Sequence, residues 1–281
     1  MLVETLVISL DIAFTVLISL FCIPKGHGYL YWSPFLLLIA GYIAGLVFVW
    51  MTMSCVCQIY SKKKTYTKPS KVANFLLRHC VGYVNNHAGV RLKVIQNEPW
   101  PKERFLLVCN HLSRFDPMIV IHRYGKLGMA FITKPSNFKI PIGAHFMKAG
   151  CYMAIDREDK LKSLEVMKEA SRLIEEDLAS VGVYPEGTRR EVEDHVGEFH
   201  EGVFSIAMKT NAPIVVTSIL GSQNIAKNFP WKRTKVRFEI IKVIYPSEYQ
   251  GKTLKAISDY ARQLMKESIE KEMLYERYPK S

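Results

Sequence analysis

The sequence predicts an α/β fold: a mixed or largely parallel sheet flanked by helices, preceded by an N-terminal two-helix membrane anchor. Short β-branched or apolar runs alternate with helical patterns from residue 90 onward, as a layered α/β domain requires. An uncharged stretch of 25 residues runs from Phe35 to Ile59. Charge also divides the chain. Residues 1–60 hold one base, Lys25, and two acids, Glu4 and Asp11, while the remainder holds 37 bases against 24 acids. At 49% hydrophobic and 23% charged, the 281 residues exclude disordered, collagen-like and coiled-coil classes.

The head reads as a hairpin over residues 1–60. Its first segment, Leu6–Ile23, is apolar but carries Asp11; its second is the Phe35–Ile59 run, long enough as a helix to cross a hydrocarbon core of about 30 Å. Between them, IPKGHGYLYWS has the Pro, Gly and aromatic residues of an interfacial turn. A cleaved signal peptide fits poorly, because the first segment lacks a basic leader and a clear small-residue cleavage site. Two placements suit the hairpin: crossing the bilayer, or lying in one leaflet, which Asp11 favours slightly. Five lysines follow in SKKKTYTKPSK, which places that side, and the body after it, on the cytoplasmic face. Residues 61–89 form a basic linker with a mildly amphipathic helix at Pro69–Gly82, suited to packing on the body or to lying at lipid headgroups.

Residues 90–281 form the α/β body. Strands are expected at Val90–Ile95, Phe105–Cys109, Met129–Ile132, Cys151–Ile155, Val181–Tyr184, Ile214–Ile219 and Val236–Val243. Helices are expected at Pro117–Tyr124, Lys160–Leu178, Gly202–Lys209 and Leu254–Lys271. The six cysteines are scattered without metal-ligand spacing and read as reduced, buried hydrophobes, so no metal site is expected.

The chemistry gathers at expected strand ends. FLLVCN leads into His111-Leu112-Ser113-Arg114-Phe115-Asp116-Pro117. Across a turn entering a helix, His111 and Asp116 can meet, the carboxylate fixing the imidazole tautomer for a general base. The competing reading makes Asp116 a plain N-cap with Pro117 after it. With eight histidines, one HxxxxD is expected by chance about four times in ten, so the spacing alone decides little. A second strand end supplies Pro185-Glu186-Gly187-Thr188-Arg189-Arg190: backbone and threonine donors for an oxyanion, arginine forks for phosphate, and a glutamate suited to pairing with an arginine. Lys134 and Arg157 each follow a further strand. Singly these are solvated charges; together they would make a phosphate pocket beside His111.

NHLSRFD, Lys134, GCYMAIDR, YPEGTRR, FHEGVF and APIVVTSI, in that order, resemble the blocks of the glycerolipid acyltransferases, most closely the 1-acylglycerol-3-phosphate acyltransferases. The resemblance covers about Asn110 to Ile219, and a chance match to five consecutive residues PEGTR is below roughly one in a thousand. It implies His111 as general base, Asp116 as its orienting partner and Arg157 on the acceptor phosphate. Glu186, Gly187, Thr188 and Arg189 would complete the acceptor site, and Lys134 would be a pocket lysine. This sequence departs from the pattern at Tyr184 for the usual phenylalanine and at Arg190 for a common serine. His200-Glu201 replaces a frequent lysine pair, and Val215-Val216-Thr217 stands where a second proline is common.

The implied reaction is transfer of a fatty acyl group from an acyl thioester, acyl-CoA or acyl-carrier protein, to the sn-2 hydroxyl of lysophosphatidic acid. It needs no cofactor beyond that co-substrate. FKIPIGAHFMKAG is a candidate wall for the acyl chain. The implied partners are the phospholipid bilayer and the two substrates, without nucleic acid, for which the basic charge has no accompanying motif. Glycerol 3-phosphate or another lysophospholipid is the alternative acceptor, and an inactive lipid-binding scaffold is the alternative of a different class.

Overall fold

The computed structural model describes residues 9, 12–13, 15–16, 33–156, 159–189 and 195–277, in two compact units, Met1–Ile59 and Tyr60–Ser281. In the first, helix α1 spans Ser33–Cys57 and rises about 37 Å. Its stretch Leu38–Cys57 is long and apolar enough to cross a membrane, and Leu36, Ile43, Phe48 and Trp50 project outward. The first expected segment, 6–23, lies largely outside the described residues, so the two-helix form of the anchor is not on view.

The second unit is built on a seven-stranded sheet. Its elements are α2 (Lys71–His87), β1 (Val90–Gln96), β2 (Leu106–Cys109), α3 (Phe115–Tyr124), β3 (Met129–Thr133), α4 (Gly143–Ala149) and β4 (Met153–Ala154). They continue with α5 (Lys160–Glu175), β5 (Ser180–Val183), α6 (Ser205–Thr210), β6 (Ile214–Leu220), α7 (Ile225–Asn228), β7 (Thr234–Ile244), α8 (Pro246–Tyr249) and α9 (Leu254–Arg277). Strand order is β1-β7-β6-β2-β5-β3-β4, parallel throughout except for the antiparallel pair β6–β7. This is the mixed, mostly parallel sheet that the alternating pattern predicts. All four residues of β2 are inaccessible, as a central strand covered on both faces must be. Helix α9 lies along β6 and β7, and α5 packs on β5.

One local correction follows from backbone hydrogen bonding. The apolar run Cys151–Ile155 yields only the two-residue strand β4. The end of α4 claims the residues before it: Gly150, Cys151 and Tyr152 donate back to the carbonyls of Phe146, Lys148 and Met147, with Cys151 at φ 59°. The amphipathic stretch expected at Pro69–Gly82 is α2, capped by the Ser70 hydroxyl, which accepts from Ala73 at 3.2 Å. It buries Ala73, Leu77 and Val81 and packs against α3 and α4.

Parallel pairing fixes where the site lies. β2, β5, β3 and β4 are consecutive neighbours running the same way, so the segments after Cys109, Val183, Thr133 and Ala154 leave one edge of the sheet. At about 4.8 Å per strand, that row spans about 14 Å.

Candidate active site

Immediately after β2, Asn110 is fully buried, and its amide acts as a clamp. Nδ2 donates to the carbonyls of His195 and Ile219, each at 3.0 Å, and Oδ1 accepts from the Ile219 N–H at 2.8 Å. The side chain thus replaces a ladder step between the ends of β2 and β6. Just before it, the Thr217 hydroxyl donates to the Val108 carbonyl at 2.9 Å. Sequence reasoning missed Asn110, because its partners lie 85 and 109 residues away.

His111 therefore leaves a fixed strand end. Its Nδ1 lies 2.9 Å from Asp116 Oδ2. The same oxygen accepts the N–H groups of Leu112 and Ser113, both at 2.7 Å. A carboxylate oxygen can only accept, so Nδ1 carries the hydrogen and Nε2 keeps the lone pair in the neutral ring. Asp116 is wholly buried, whereas the His111 side chain remains 18% exposed, open enough for a substrate group to approach.

Asp116 is not the N-cap. Helix α3 begins at Phe115 with Arg114 as its cap residue, and the carboxylate turns back over the preceding loop. The spacing of five works because the loop 111–115 wraps around one oxygen, not because His111 shares a helical face with Asp116. Ser113 is engaged elsewhere, its hydroxyl accepting from the Phe115 N–H at 3.3 Å.

The β5 end closes the other side of the ring. Tyr184 stacks on His111 with centroids 4.4 Å apart, and Phe131 of β3 stacks behind Tyr184 at 6.3 Å. Gly182 makes room for Phe131: a Cβ there would lie 2.3 Å from the ring. Burial pushes the Tyr184 hydroxyl well above the usual phenol range, with Cys109 and Asp116 adding to the shift. That hydroxyl is buried without a hydrogen-bond partner among the described residues.

Tyr184 also begins the PEGTR turn, its carbonyl accepting from Gly187 N–H at 3.0 Å, with Gly187 at φ +70°. The turn aims buried Glu186 back at the site, where Oε1 accepts the His111 N–H at 3.1 Å. His200 donates its N–H to the Pro185 carbonyl at 2.9 Å, binding the FHEGVF segment to the same turn. Thr188 and Arg189 are exposed beyond it, and Lys134 is exposed at the end of β3.

The structure thus gathers His111, Asp116 and Glu186 into one bonded cluster, with Gly187 shaping the turn behind it. Lys134, Thr188 and Arg189 stand at the same sheet edge without a bond to that cluster among those described. Arg157 and Arg190 lie outside the described residues. Among the described residues, no group of three or more His, Cys, Asp or Glu side chains could hold a metal ion. Burial pushes the Cys109 thiol far up, so this neighbour of the site is a poor nucleophile.

Comparison with known proteins agrees with the motif reading. The family model described as Acyltransferase matches residues 91–220. A 1-acyl-sn-glycerol-3-phosphate acyltransferase of Chlamydomonas reinhardtii is 28% identical over 180 residues, 64% of this chain and 52% of that protein. A probable 1-acyl-sn-glycerol-3-phosphate acyltransferase of Mycoplasma pneumoniae is 32% identical over 143 residues, 48% of this chain and 51% of that protein. The chain thus spans about half the length of these curated relatives. In fold it resembles the crystal structure of the 1-acyl-sn-glycerophosphate (LPA) acyltransferase, PlsC, from Thermotoga maritima. The TM-score is 0.54 at 20% identity, covering 70% of this chain and 81% of that one.

Proposed function

From the match of residues 91–220 to the family model described as Acyltransferase, we propose that this chain transfers a fatty acyl group from a thioester to the sn-2 hydroxyl of lysophosphatidic acid. The product is phosphatidic acid. The carrying observation is the His111 ring held through Nδ1 by Asp116 Oδ2, with one edge still open. In this reading Nε2 accepts the hydroxyl proton as the oxygen attacks the thioester carbonyl carbon. The tetrahedral intermediate then collapses, the C–S bond breaks, and the imidazolium returns its proton to the departing thiolate. General-base catalysis of this kind contributes about 10²- to 10⁴-fold. No acyl-enzyme is required, which fits the bonded Ser113 hydroxyl and the inert Cys109 thiol.

Lys134, Thr188 and Arg189 supply anion-binding groups at the edge where His111 opens, and Arg157 completes them in this reading. Glu186 acts one step back, holding the backbone of His111. The donor is acyl-CoA or acyl-carrier protein, both anionic and suited to a basic body. Helix α1 supports a membrane location, and the lysines after it support a cytoplasmic-facing body. The reading is tested with the full chain in lipid vesicles, a labelled long-chain acyl thioester and a panel of lysophosphatidic acid, glycerol 3-phosphate and lysophosphatidylcholine. Phosphatidic acid from the first acceptor alone is expected. Equal use of lysophosphatidylcholine, whose phosphate is a diester capped by choline, would remove the selectivity of the basic groups for a phosphate monoester, and product from glycerol 3-phosphate alone would transfer the reading to that acceptor.

A further inference from the structure

The segment joining β6 to β7 plays no part in the chemistry above, yet it carries the most exposed aromatic side chain among the described residues of the body. Trp231 is 89% exposed and Phe229 is 53% exposed. Around them stand Lys227, Lys232, Arg233 and Lys235, all exposed, and no acid occurs from Gly221 to Lys235. The backbone beneath is fixed. Phe229 and Lys232 donate to the carbonyls of Ile225 and Asn228, at 3.0 and 2.7 Å, and the Asn228 amide donates to the Thr234 hydroxyl at 2.9 Å. Gly221, at φ +90°, lets the chain leave β6 where a Cβ would lie 2.5 Å from the Lys235 carbonyl. The indole is therefore held out in solvent by an ordered turn.

Its position gives the exposure a meaning. β6 runs parallel to β2, and β7 starts at the edge where β6 ends, so this turn lies at the same sheet edge as His111, its aromatic end joining β7 two strand spacings from β2, about 10 Å. Asn110 bonds Ile219 and so ties the two strand ends together. We propose that the Phe229–Arg233 turn is a membrane-docking element that seats Trp231 and Phe229 at the headgroup–acyl boundary of an anionic bilayer. The His111 edge of the sheet is thereby brought to the lipid surface. Two bulky exposed aromatics in a segment whose only charges are cations match the interfacial belt, whereas the cores of protein–protein interfaces are depleted in lysine. Each cation near an anionic surface strengthens association by about fivefold. Connected directly to α1, the body is confined where such a surface is available. The inference rests on the membrane location proposed above. Its readout is the surroundings of one indole, so its failure leaves the acyl-transfer reading intact.

The test uses the full chain in phosphatidylcholine vesicles containing about three parts in ten phosphatidylglycerol. Fluorescence of the wild type minus that of Trp231→Phe isolates Trp231, because the other three tryptophans are common to both. The expected difference spectrum is blue-shifted and loses most of its intensity to lipids brominated near the headgroup end of the chain. Replacing Lys227, Lys232, Arg233 and Lys235 together by glutamine should reduce that quenching severalfold. A difference spectrum typical of indole in water, quenched by iodide and untouched by bromolipid, overturns the proposal. So does an indole shielded from both quenchers, which would mean that protein covers the turn. Undiminished bromolipid quenching in the glutamine variant would remove the electrostatic part.

Discussion

Replacing Asn110 by alanine should cripple both stability and turnover, although its amide touches no substrate in the proposed mechanism. The side chain is fully buried and makes three hydrogen bonds to backbone groups, at 3.0, 3.0 and 2.8 Å. Two of them satisfy the N–H and carbonyl of Ile219, itself fully buried, and in the variant those groups have no water to turn to. Stranding each costs about 1–3 kcal/mol, so the expected loss is about 4 kcal/mol. The His195 carbonyl lies at a more open position and adds little. In a body of this size, 1 kcal/mol corresponds to a Tm change of about 2–4 °C, which predicts a fall of roughly 10 °C. Thr217→Val is the internal standard: it keeps shape and removes one bond, to Val108, for about 1 kcal/mol. Thermal unfolding of the full chain in detergent compares the two. Turnover measured well below both midpoints should drop by about a hundredfold in Asn110→Ala, since His111 follows directly and a misplacement of about 1 Å has that effect. A Tm shift no larger than that of Thr217→Val, with turnover retained, would refute the clamp.

Asp116→Asn should leave the fold intact, because an amide oxygen can still accept from Leu112, Ser113 and His111. It removes the charge that stabilises the imidazolium, and kcat should fall by about a hundredfold or more with the Tm unchanged. Tyr184→Phe deletes a buried hydroxyl without a partner among the described residues. Thermal unfolding should show stability unchanged or raised by about 1 kcal/mol, and the product assay should show turnover unchanged. Gly182→Ala drives a methyl against Phe131, which stands behind Tyr184 and His111. Overpacking costs about 1–3 kcal/mol, and kcat measured far below the unfolding midpoint should still be reduced.

Much of this architecture was legible because its signals are local. The apolar run Ile214–Ile219 becomes β6 (Ile214–Leu220), and Lys160–Leu178 becomes α5 (Lys160–Glu175). Cys151–Ile155 was misjudged because an apolar run does not distinguish a strand from the buried end of a helix, here α4. The insertion of antiparallel β7 between β1 and β6 leaves no local trace, since register is decided by pairing across the sheet. At the site, the HxxxxD spacing pointed to contact between His111 and Asp116. It could not show that Asp116 sits inside the first turn of α3 and folds back over three N–H groups. The glutamate of PEGTR invites an arginine partner from its chemistry, and the structure gives it the backbone N–H of His111. That bond depends on the adjacency of β2 and β5, which no spacing within either segment encodes.

The most direct measurement pairs the wild type with His111→Ala in vesicles, with lysophosphatidic acid and a labelled acyl thioester, reading lipid products by mass spectrometry. The ring is stacked on Tyr184 but partly open, so the variant should keep its fold, with a small loss of Tm. Phosphatidic acid from the wild type, and none above background from the folded variant, is the expected result. Phosphatidic acid formed at comparable rates by both proteins would contradict the assignment of His111 as the base and, with it, the catalytic meaning of the Asp116 contact.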